Sequence, residues 1–371
     1  MRKRVVVAMS GGVDSSTTAA ILKEEGYDVI GISMYLYPFC GETLYPFFRR
    51  NRCCSLQGID DARSVALKLK IPFYVINFQK EFQERVIDHF CREYKGGRTP
   101  NPCILCNREI KFKLLLEKAK ALGAQYLATG HYARIEKNSG RYLLKKGVEE
   151  NGEQSYFLYI LTQERMAQIL MVLGGYAKEE VRKLARKFSL PVAEKKASQE
   201  ICFIDGDYRK FLSSRFPPVP GEIVDVNGNV LGRHDGVASY TVGQRRGIGA
   251  YGKPFYVVSI DPELNRIVVG SEQELFSEEL VANDLHFISP EEKVEGGLDV
   301  VAKIRYSHAG EKAVVSPIGD GKAVVRFRKP VRSATPGQAI VFYDGDVVLG
   351  GGTIEKIAKQ VNPNDKIQNP N

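Results

Sequence analysis

The chain has 371 residues, 43% of them hydrophobic, with seven cysteines and a formal net charge of +9. That length exceeds what one hydrophobic core usually supports, so two or three domains are expected, and the charge favours an anionic partner. Seven cysteines are too few for a disulfide scaffold and fit thiols, metal ligands or redox chemistry in a reducing compartment. No apolar run reaches the roughly 18 residues that a membrane span needs, and MRKRVVVAMSGG leads straight into a strand-like run rather than a signal peptide. No membrane partner and a cytoplasmic location are expected.

The positive charge is uneven. Residues 1 to 200 carry 33 Lys and Arg against 22 Asp and Glu, and the remainder carries 20 against 22. Such a concentration suits a phosphate-backbone footprint, although scattered solvated lysines and arginines would give the same numbers.

In chain order, Val5-Val6-Val7 predicts a buried strand leading to the turn Ser10-Gly11-Gly12, then a helix through Ala19, Ala20 and Leu22 that stops near Gly26. Val29 to Ile32 predicts the next strand. Ala62, Val65, Ala66 and Leu69 fall at helical spacing before a strand from Ile71 to Phe78. Phe82, Val86, Phe90 and Tyr94 form another helical stripe, on which Cys91 is expected to be core, and Phe112, Leu115, Leu116 and Ala119 form one more before a strand at Tyr126 to Thr129. This rhythm predicts an α/β fold with a doubly wound, mainly parallel sheet. From about Pro217 the pattern changes to short alternating strands such as Phe255 to Ile260, Lys322 to Phe327 and Ala339 to Tyr343, punctuated by Asn-Gly, Asp-Gly and Pro-Gly turns. Two small β-rich units are expected there, with the tail from Gln360 to Asn371 frayed.

The loop Ser10-Gly11-Gly12-Val13-Asp14-Ser15-Ser16 sits between the first strand and the first helix, where backbone N–H groups and the positive helix end can hold phosphate. It lacks the Gly-Lys-Ser/Thr ending of a Walker A loop and resembles the PP-loop of ATP pyrophosphatases. A tight turn with a capping Asp would account for the same residues structurally. The hydroxyls of Ser10, Ser15 and Ser16 suit pyrophosphate, and Asp14 suits Mg²⁺ or orientation of a triphosphate.

Arg98-Thr99-Pro100-Asn101-Pro102-Cys103-Ile104-Leu105-Cys106-Asn107 carries two prolines and a C-x-x-C, and is expected to be a loop ahead of a helix starting near Glu109. Neighbouring Arg98, Arg108 and Lys111 favour thiolate there. Cys202 lies far away in Ser198-Gln199-Glu200-Ile201-Cys202-Phe203-Ile204 and can meet Cys106 only through the fold. Cys40, Cys53 and Cys54 flank the aromatic, basic segment Leu44 to Arg52, expected to be a mobile loop, and read as structural or incidental thiols. His89, His234, His286 and His308 show no ligand spacing.

SGGVDSS, RTPNPCILCNREIKF, ATGHYAR, QSYFLY, SQEICFI, TVGQRRGIG and ATPGQAIVFY, in this order across residues 10 to about 343, resemble the bacterial tRNA-specific 2-thiouridylases. The resemblance implies a PP-loop catalytic domain over residues 1–205, a central β-rich domain over 206–280 and a carboxy-terminal β-barrel over 281–371. It implies that Ala8, Met9, Ser10, Gly11, Gly12, Val13, Asp14, Ser15, Met34 and Gly130 contact ATP, with Mg²⁺, that Cys106 is the catalytic nucleophile, and that Cys202 carries a persulfide. Asn101, Pro102 and Cys103 would lie against the target base, and His131, Gly152, Glu153, Gln154, Arg305, Tyr306 and Gln338 would approach the tRNA. The implied partners are tRNAs with a wobble uridine, such as those for lysine, glutamate and glutamine, and a cysteine desulfurase or sulfur-relay protein. The product would be 2-thiouridine at position 34.

One departure matters: many family members have Asp where this chain has Cys103. The change leaves two sulfur routes open. Cys103, Cys106 and Cys202 could ligate a [4Fe–4S] cluster with one iron open to sulfide, or Cys106 and Cys202 could relay a persulfide with Cys103 as a spare thiol. Two other functions fit parts of the sequence. A PP-loop amidating ligase of the NAD or GMP synthetase kind would have no use for Cys106 and Cys202, and a non-catalytic, metal-stabilised RNA-binding module would not consume ATP.

Overall fold

Val5, Val6 and Val7 are completely buried at the centre of the first strand, and the rest of the amino-terminal fold is laid down around them. In this computed structural model the described residues are 2–36, 55–149, 152–196, 201–204, 206–249, 252, 254–289 and 297–360. Cys40, Cys53, Cys54, the segment Leu44 to Arg52, Ser198 to Glu200 and the expected frayed tail beyond Gln360 lie outside them. The chain divides into two units. Met1–Asp88, Pro102–Gly206 and Asp346–Val348 form the first, and His89–Asn101, Asp207–Gly345 and Leu349–Asn371 form the second.

The first unit runs β1 (Arg4–Ala8), α1 (Val13–Glu24), β2 (Asp28–Tyr35), α2 (Leu56–Leu69) and β3 (Phe73–Asn77). Next come α3 (Gln79–Phe82), a π-helical segment Gln83–Ile87 and α4 (Asp88–Lys95), whose residues from His89 onward belong to the second unit. The chain continues through α5 (Pro102–Cys106), a π-helical segment Asn107–Leu115, α6 (Leu116–Ala121), β4 (Tyr126–Ala128), the hairpin β5 (Ala133–Asn138) and β6 (Arg141–Lys146), α7 (Gln163–Met166), β7 (Ile169–Leu170) and α8 (Lys178–Lys187). The five parallel strands lie in the order β3-β2-β1-β4-β7. The winding direction reverses between β1 and β4, which makes the carboxyl ends of those two strands the topological switch point where α/β sheets bind ligands.

The apolar stripe of α2 becomes a face that covers this sheet. Ala62, Val65 and Leu69 of α2 are buried in the same cluster as Val5, Val7 and Ala19, and Ala66 is buried as well. Phe82, Val86, Phe90 and Tyr94 are also buried, and their regular four-residue spacing is met by α-helical turns with π-helical residues between them. Cys91, expected in the core, is only half-buried. The expected loop at the C-x-x-C motif is instead helical. Pro102 opens α5, where a missing N–H costs nothing and the fixed φ suits a first turn, so Cys103 and Cys106 ride on the helix rather than ahead of it.

In the second unit α9 (Tyr208–Ser213) precedes β8 (Gly221–Asp225), β9 (Val230–His234), β10 (Tyr256–Asp261) and β11 (Arg266–Gly270), a sheet in the order β10-β11-β8-β9. Six strands follow: β12 (Phe276–Phe287), β13 (Leu298–Lys303), β14 (Glu311–Gly319), β15 (Lys322–Arg332), β16 (Ala339–Asp344) and β17 (Val347–Gln360). They are joined in the order β12-β15-β14-β13-β16-β17, and pairing of β12 with β17 closes them into a barrel, which leaves no sheet edge. Its interior is packed by Leu280, Val300, Val315, Val325, Ile340 and Phe342. The turn signals act as expected: Asp320 and Gly321, both at positive φ, join β14 to β15 as a two-residue hairpin.

Candidate active site

The Ser10–Ser15 loop occupies the switch point at the carboxyl end of β1. Gly11 holds φ +72°, and a Cβ there would sit 2.0 Å from the Gly58 carbonyl oxygen of α2, so the loop passes closer to that helix than any side chain allows. Ser15 folds the loop onto itself. Its hydroxyl accepts from Ser10 N–H at 3.1 Å, lies 3.3 Å from the Ser10 hydroxyl and donates to the Gly12 carbonyl at 3.3 Å. Ser16, expected to face pyrophosphate with its neighbours, is completely buried. From the end of β4, Gly130 packs against the start of α1, where a Cβ would meet Ser15 N at 2.7 Å. Met9 and Met34 are buried within this same end of the sheet.

Asp14 is the hub. Lys178, the first residue of α8, donates to both of its carboxylate oxygens at 2.7 and 2.6 Å, and the Tyr132 hydroxyl donates to Oδ1 at 2.8 Å. The Lys178 ammonium also lies 4.9 Å from the centre of the Tyr132 ring, while its backbone N–H donates to Glu149 at 2.8 Å. Burial, and then the adjoining Asp14 carboxylate, push the Tyr132 phenol well above its ordinary pKa, so it stays a donor. A second lysine reaches the loop: Lys195 Nζ donates to the Gly11 carbonyl at 3.0 Å and pairs with Asp61. Sequence reading missed Lys178, Lys195, Tyr132, Glu149 and Asp61. Tyr132 alone lay inside a quoted motif, and the lysines stand 164 and 184 residues from their loop partners.

The network continues toward residues expected to approach tRNA. Gln154 pairs with the Tyr132 backbone twice, accepting its N–H on Oε1 at 3.0 Å and donating its own N–H to the carbonyl at 2.9 Å. Glu153 is buried, with its carboxylate accepting the Ser155 N–H. His131 Nδ1 meets the Thr129 hydroxyl at 2.8 Å, and the ring lies 5.9 Å from that of Phe112. Burial first, and Lys111 second, hold the His131 imidazole well below its usual pKa. The ring is therefore uncharged at neutral pH.

Within this unit Cys106 is buried, Cys103 exposed and Cys202 half-buried. Asn107, next to Cys106, anchors the helix by donating to the Phe157 carbonyl at 3.0 Å, and Phe203, next to Cys202, packs edge-on against Phe82 at 5.7 Å. Among the described residues no group of three or more His, Cys, Asp or Glu side chains is placed to hold a metal ion.

Gly152 lies in the first unit, and Asn101, Arg305, Tyr306 and Gln338 lie in the second. Gln338 Nε2 donates to the Thr99 carbonyl at 2.8 Å and Thr99 N–H to the Pro336 carbonyl at 2.8 Å, which fixes the segment ending at Asn101. Arg305 donates to the Ser333 carbonyl, and Tyr306 is exposed with the Lys303 ammonium 5.9 Å from its ring centre.

A parallel sheet with a glycine-rich loop at its switch point, followed by a small β-rich module and a closed β-barrel, defines a nucleotide-binding α/β enzyme extended by two β modules. Comparison with known families resolves these parts. The tRNA methyl transferase HUP domain matches residues 3–206, the PRC-barrel domain of the same group residues 209–271, and the aminomethyltransferase β-barrel domain residues 277–354. The tRNA-specific 2-thiouridylase MnmA of Carboxydothermus hydrogenoformans is 52% identical over 361 residues, 96% of this chain and 98% of that protein. The protein of the same name from Acetivibrio thermocellus is 52% identical over 360 residues, 95% of this chain and 99% of its own. A solved 4-thiouridine synthetase in complex with RNA and ATP covers 58% of the chain at 16% identity, with a TM-score of 0.35. The chain belongs to the tRNA-specific 2-thiouridylase family. Membership favours the sulfurtransferase reading over the amidating ligase and the metal-stabilised binding module.

Proposed function

We propose that the protein activates the C2 oxygen of the wobble uridine of tRNA with ATP and replaces it with sulfur carried on Cys202. The observation that carries this reading is the coexistence, in one α/β unit, of a phosphate loop built around Asp14 and two cysteines from distant segments. The C2 oxygen is a poor leaving group. Attack of that oxygen on the α-phosphorus expels pyrophosphate and leaves the base as an adenylate, from which AMP departs well. Loop N–H groups, Lys178 and Lys195 would balance charge on the pyrophosphate. Since Asp14 is engaged by Lys178 and Tyr132, its role is to orient the lysine, and Mg²⁺ would be held chiefly by phosphate oxygens and water.

The terminal sulfur of the Cys202 persulfide then attacks C2 and displaces AMP. The Cys106 thiolate attacks Cys202 Sγ, breaking the sulfur–sulfur bond, leaving sulfur on the base and forming a Cys106–Cys202 disulfide that a thiol reductant reopens. A desulfurase or relay protein reloads Cys202, in a cytoplasmic setting that keeps thiols reduced. Ala8 to Ser15, Met34 and Gly130 would hold ATP, and Asn101, Pro102 and Cys103 would line the base, flipped out of its stack to expose C2.

The test supplies tRNA, ATP and a persulfide source, then measures 2-thiouridine in nucleoside digests together with AMP and pyrophosphate. Formation of ADP in place of AMP, or no thiolated nucleoside, rejects the reading. Cys103→Ala should retain most activity with and without oxygen, since the relay does not use that thiol.

A further inference from the structure

The motif Thr241-Val242-Gly243-Gln244-Arg245-Arg246-Gly247-Ile248-Gly249 has no role in the chemistry above, yet it is built with unusual care. Gly243, Gly247 and Gly249 hold φ of +88°, +82° and +95°, backbone that only glycine adopts freely. Gln244 staples the loop, accepting the Thr241 N–H at 3.2 Å and donating to the Arg246 carbonyl at 2.8 Å, while the Tyr240 hydroxyl donates to the Gly247 carbonyl at 2.9 Å. Ile248 is sunk in the core beside Val257 and Ile267. Arg245 and Arg246 stand exposed at the crest, and neither enters an ion pair or hydrogen bond through its side chain among the described residues.

The loop is also fastened to its neighbours within the second unit. The Thr241 hydroxyl lies 3.1 Å from that of Thr99, whose carbonyl takes the Gln338 amide, two residues before Asn101. On its other side a Cβ at Gly243 would come within 2.6 Å of the Ser333 hydroxyl, and Ser333 is the residue whose carbonyl Arg305 holds. Asn101, Arg305 and Gln338 are among the residues of this unit expected to meet RNA, and the loop touches residues that support them.

We propose that the Thr241–Gly249 loop is a phosphate clamp for tRNA, with Arg245 and Arg246 gripping backbone phosphates next to the target nucleotide. Guanidinium groups suit phosphate through planar, paired donors, and a backbone already held rigid loses little freedom on binding. The inference rests on the tRNA reading, and the experiment separates the two.

Binding of a wobble-uridine tRNA is measured at several salt concentrations for the full chain, for R245A/R246A, for R245K/R246K and for R326A/R328A, which removes the same charge from the barrel. The alanine pair should weaken binding about ten-fold or more and lower the slope of log affinity against log salt by about 1.5 to 2, as expected for two lost phosphate contacts. The lysine pair should restore most of that slope, which a collapsed loop would not allow. Unchanged affinity and slope in the alanine pair, or an equal loss in R326A/R328A, overturns the clamp while leaving thiolation by the unaltered chain intact. Dependence of anionic-vesicle binding, rather than tRNA binding, on the two arginines would also overturn it. Absence of 2-thiouridine formation by the unaltered chain rejects the tRNA reading and the clamp together.

Discussion

Two loops of this protein treat charge in opposite ways. At the Ser10–Ser15 loop charges are matched inside the protein: Asp14 with Lys178 and Lys195 with Asp61, each pair partly shielded from water. At the Thr241–Gly249 loop the backbone is just as firmly held, yet the two arginines at its crest are left without a carboxylate among the described residues. A site for chemistry needs its groups aimed before substrate arrives, and an internal counter-charge is a means of aiming them. A binding surface instead gains by leaving cations unneutralised until a polyanion supplies the counter-charge and releases its own counterions.

The sharpest break in that comparison lies in the chemistry of the first unit. Cys106→Ala or Cys202→Ala should lower 2-thiouridine formation by roughly three orders of magnitude or more while tRNA-dependent release of pyrophosphate from ATP persists; Asp14→Ala should abolish both. If either cysteine variant thiolates tRNA at the unaltered rate, the relay is wrong. Next in size is the aiming lysine. Lys178→Ala should slow AMP formation by about 10² to 10³, the usual cost of one preorganised charge, with Lys178→Arg recovering part of it. A loss confined to tRNA affinity would place Lys178 among the binding residues instead.

A smaller effect reads the backbone itself. Gly11→Ala forces a Cβ onto the Gly58 carbonyl and should cost about 1 to 3 kcal/mol in urea unfolding, more than Gly140→Ala, where φ is also positive but nothing lies within 4 Å. Equal costs would mean that α2 yields. The smallest concerns His131. Its imidazole is depressed in the folded chain, so between that value and the ordinary 6.5 the unfolded state binds the additional proton. Stability should therefore fall as pH drops below about 6.5, and His131→Gln should flatten that decline in urea midpoints measured from pH 7 to 5. A residual slope is expected from His234 and His308, which burial also depresses. An unchanged slope in His131→Gln would remove His131 from the acid response.

Local pattern carried much of the architecture. The valines of β1, the stripe of α2 and the alternating strands beyond Pro217 each follow from a period of 3.6 or 2, because one face must be buried whatever the partner. The Ser-Gly-Gly-x-Asp-Ser turn could be read because positive φ and an exposed helix end are local requirements. The C-x-x-C motif differs from its expected loop because proline breaks a helix only in its interior, whereas Pro102 at a first helical position serves as a start. What the sequence by itself determined is the alternation of strands and helices, the phosphate loop and the stock of cysteines. Only the tertiary structure decided that Lys178 and Lys195 close on that loop, that Tyr132 joins it to Gln154, that six strands close into a barrel, and that Thr241 lies against Thr99. Charge pairing and strand closure depend on distance in space, and residues 142 or 164 apart in sequence leave no local signature of it.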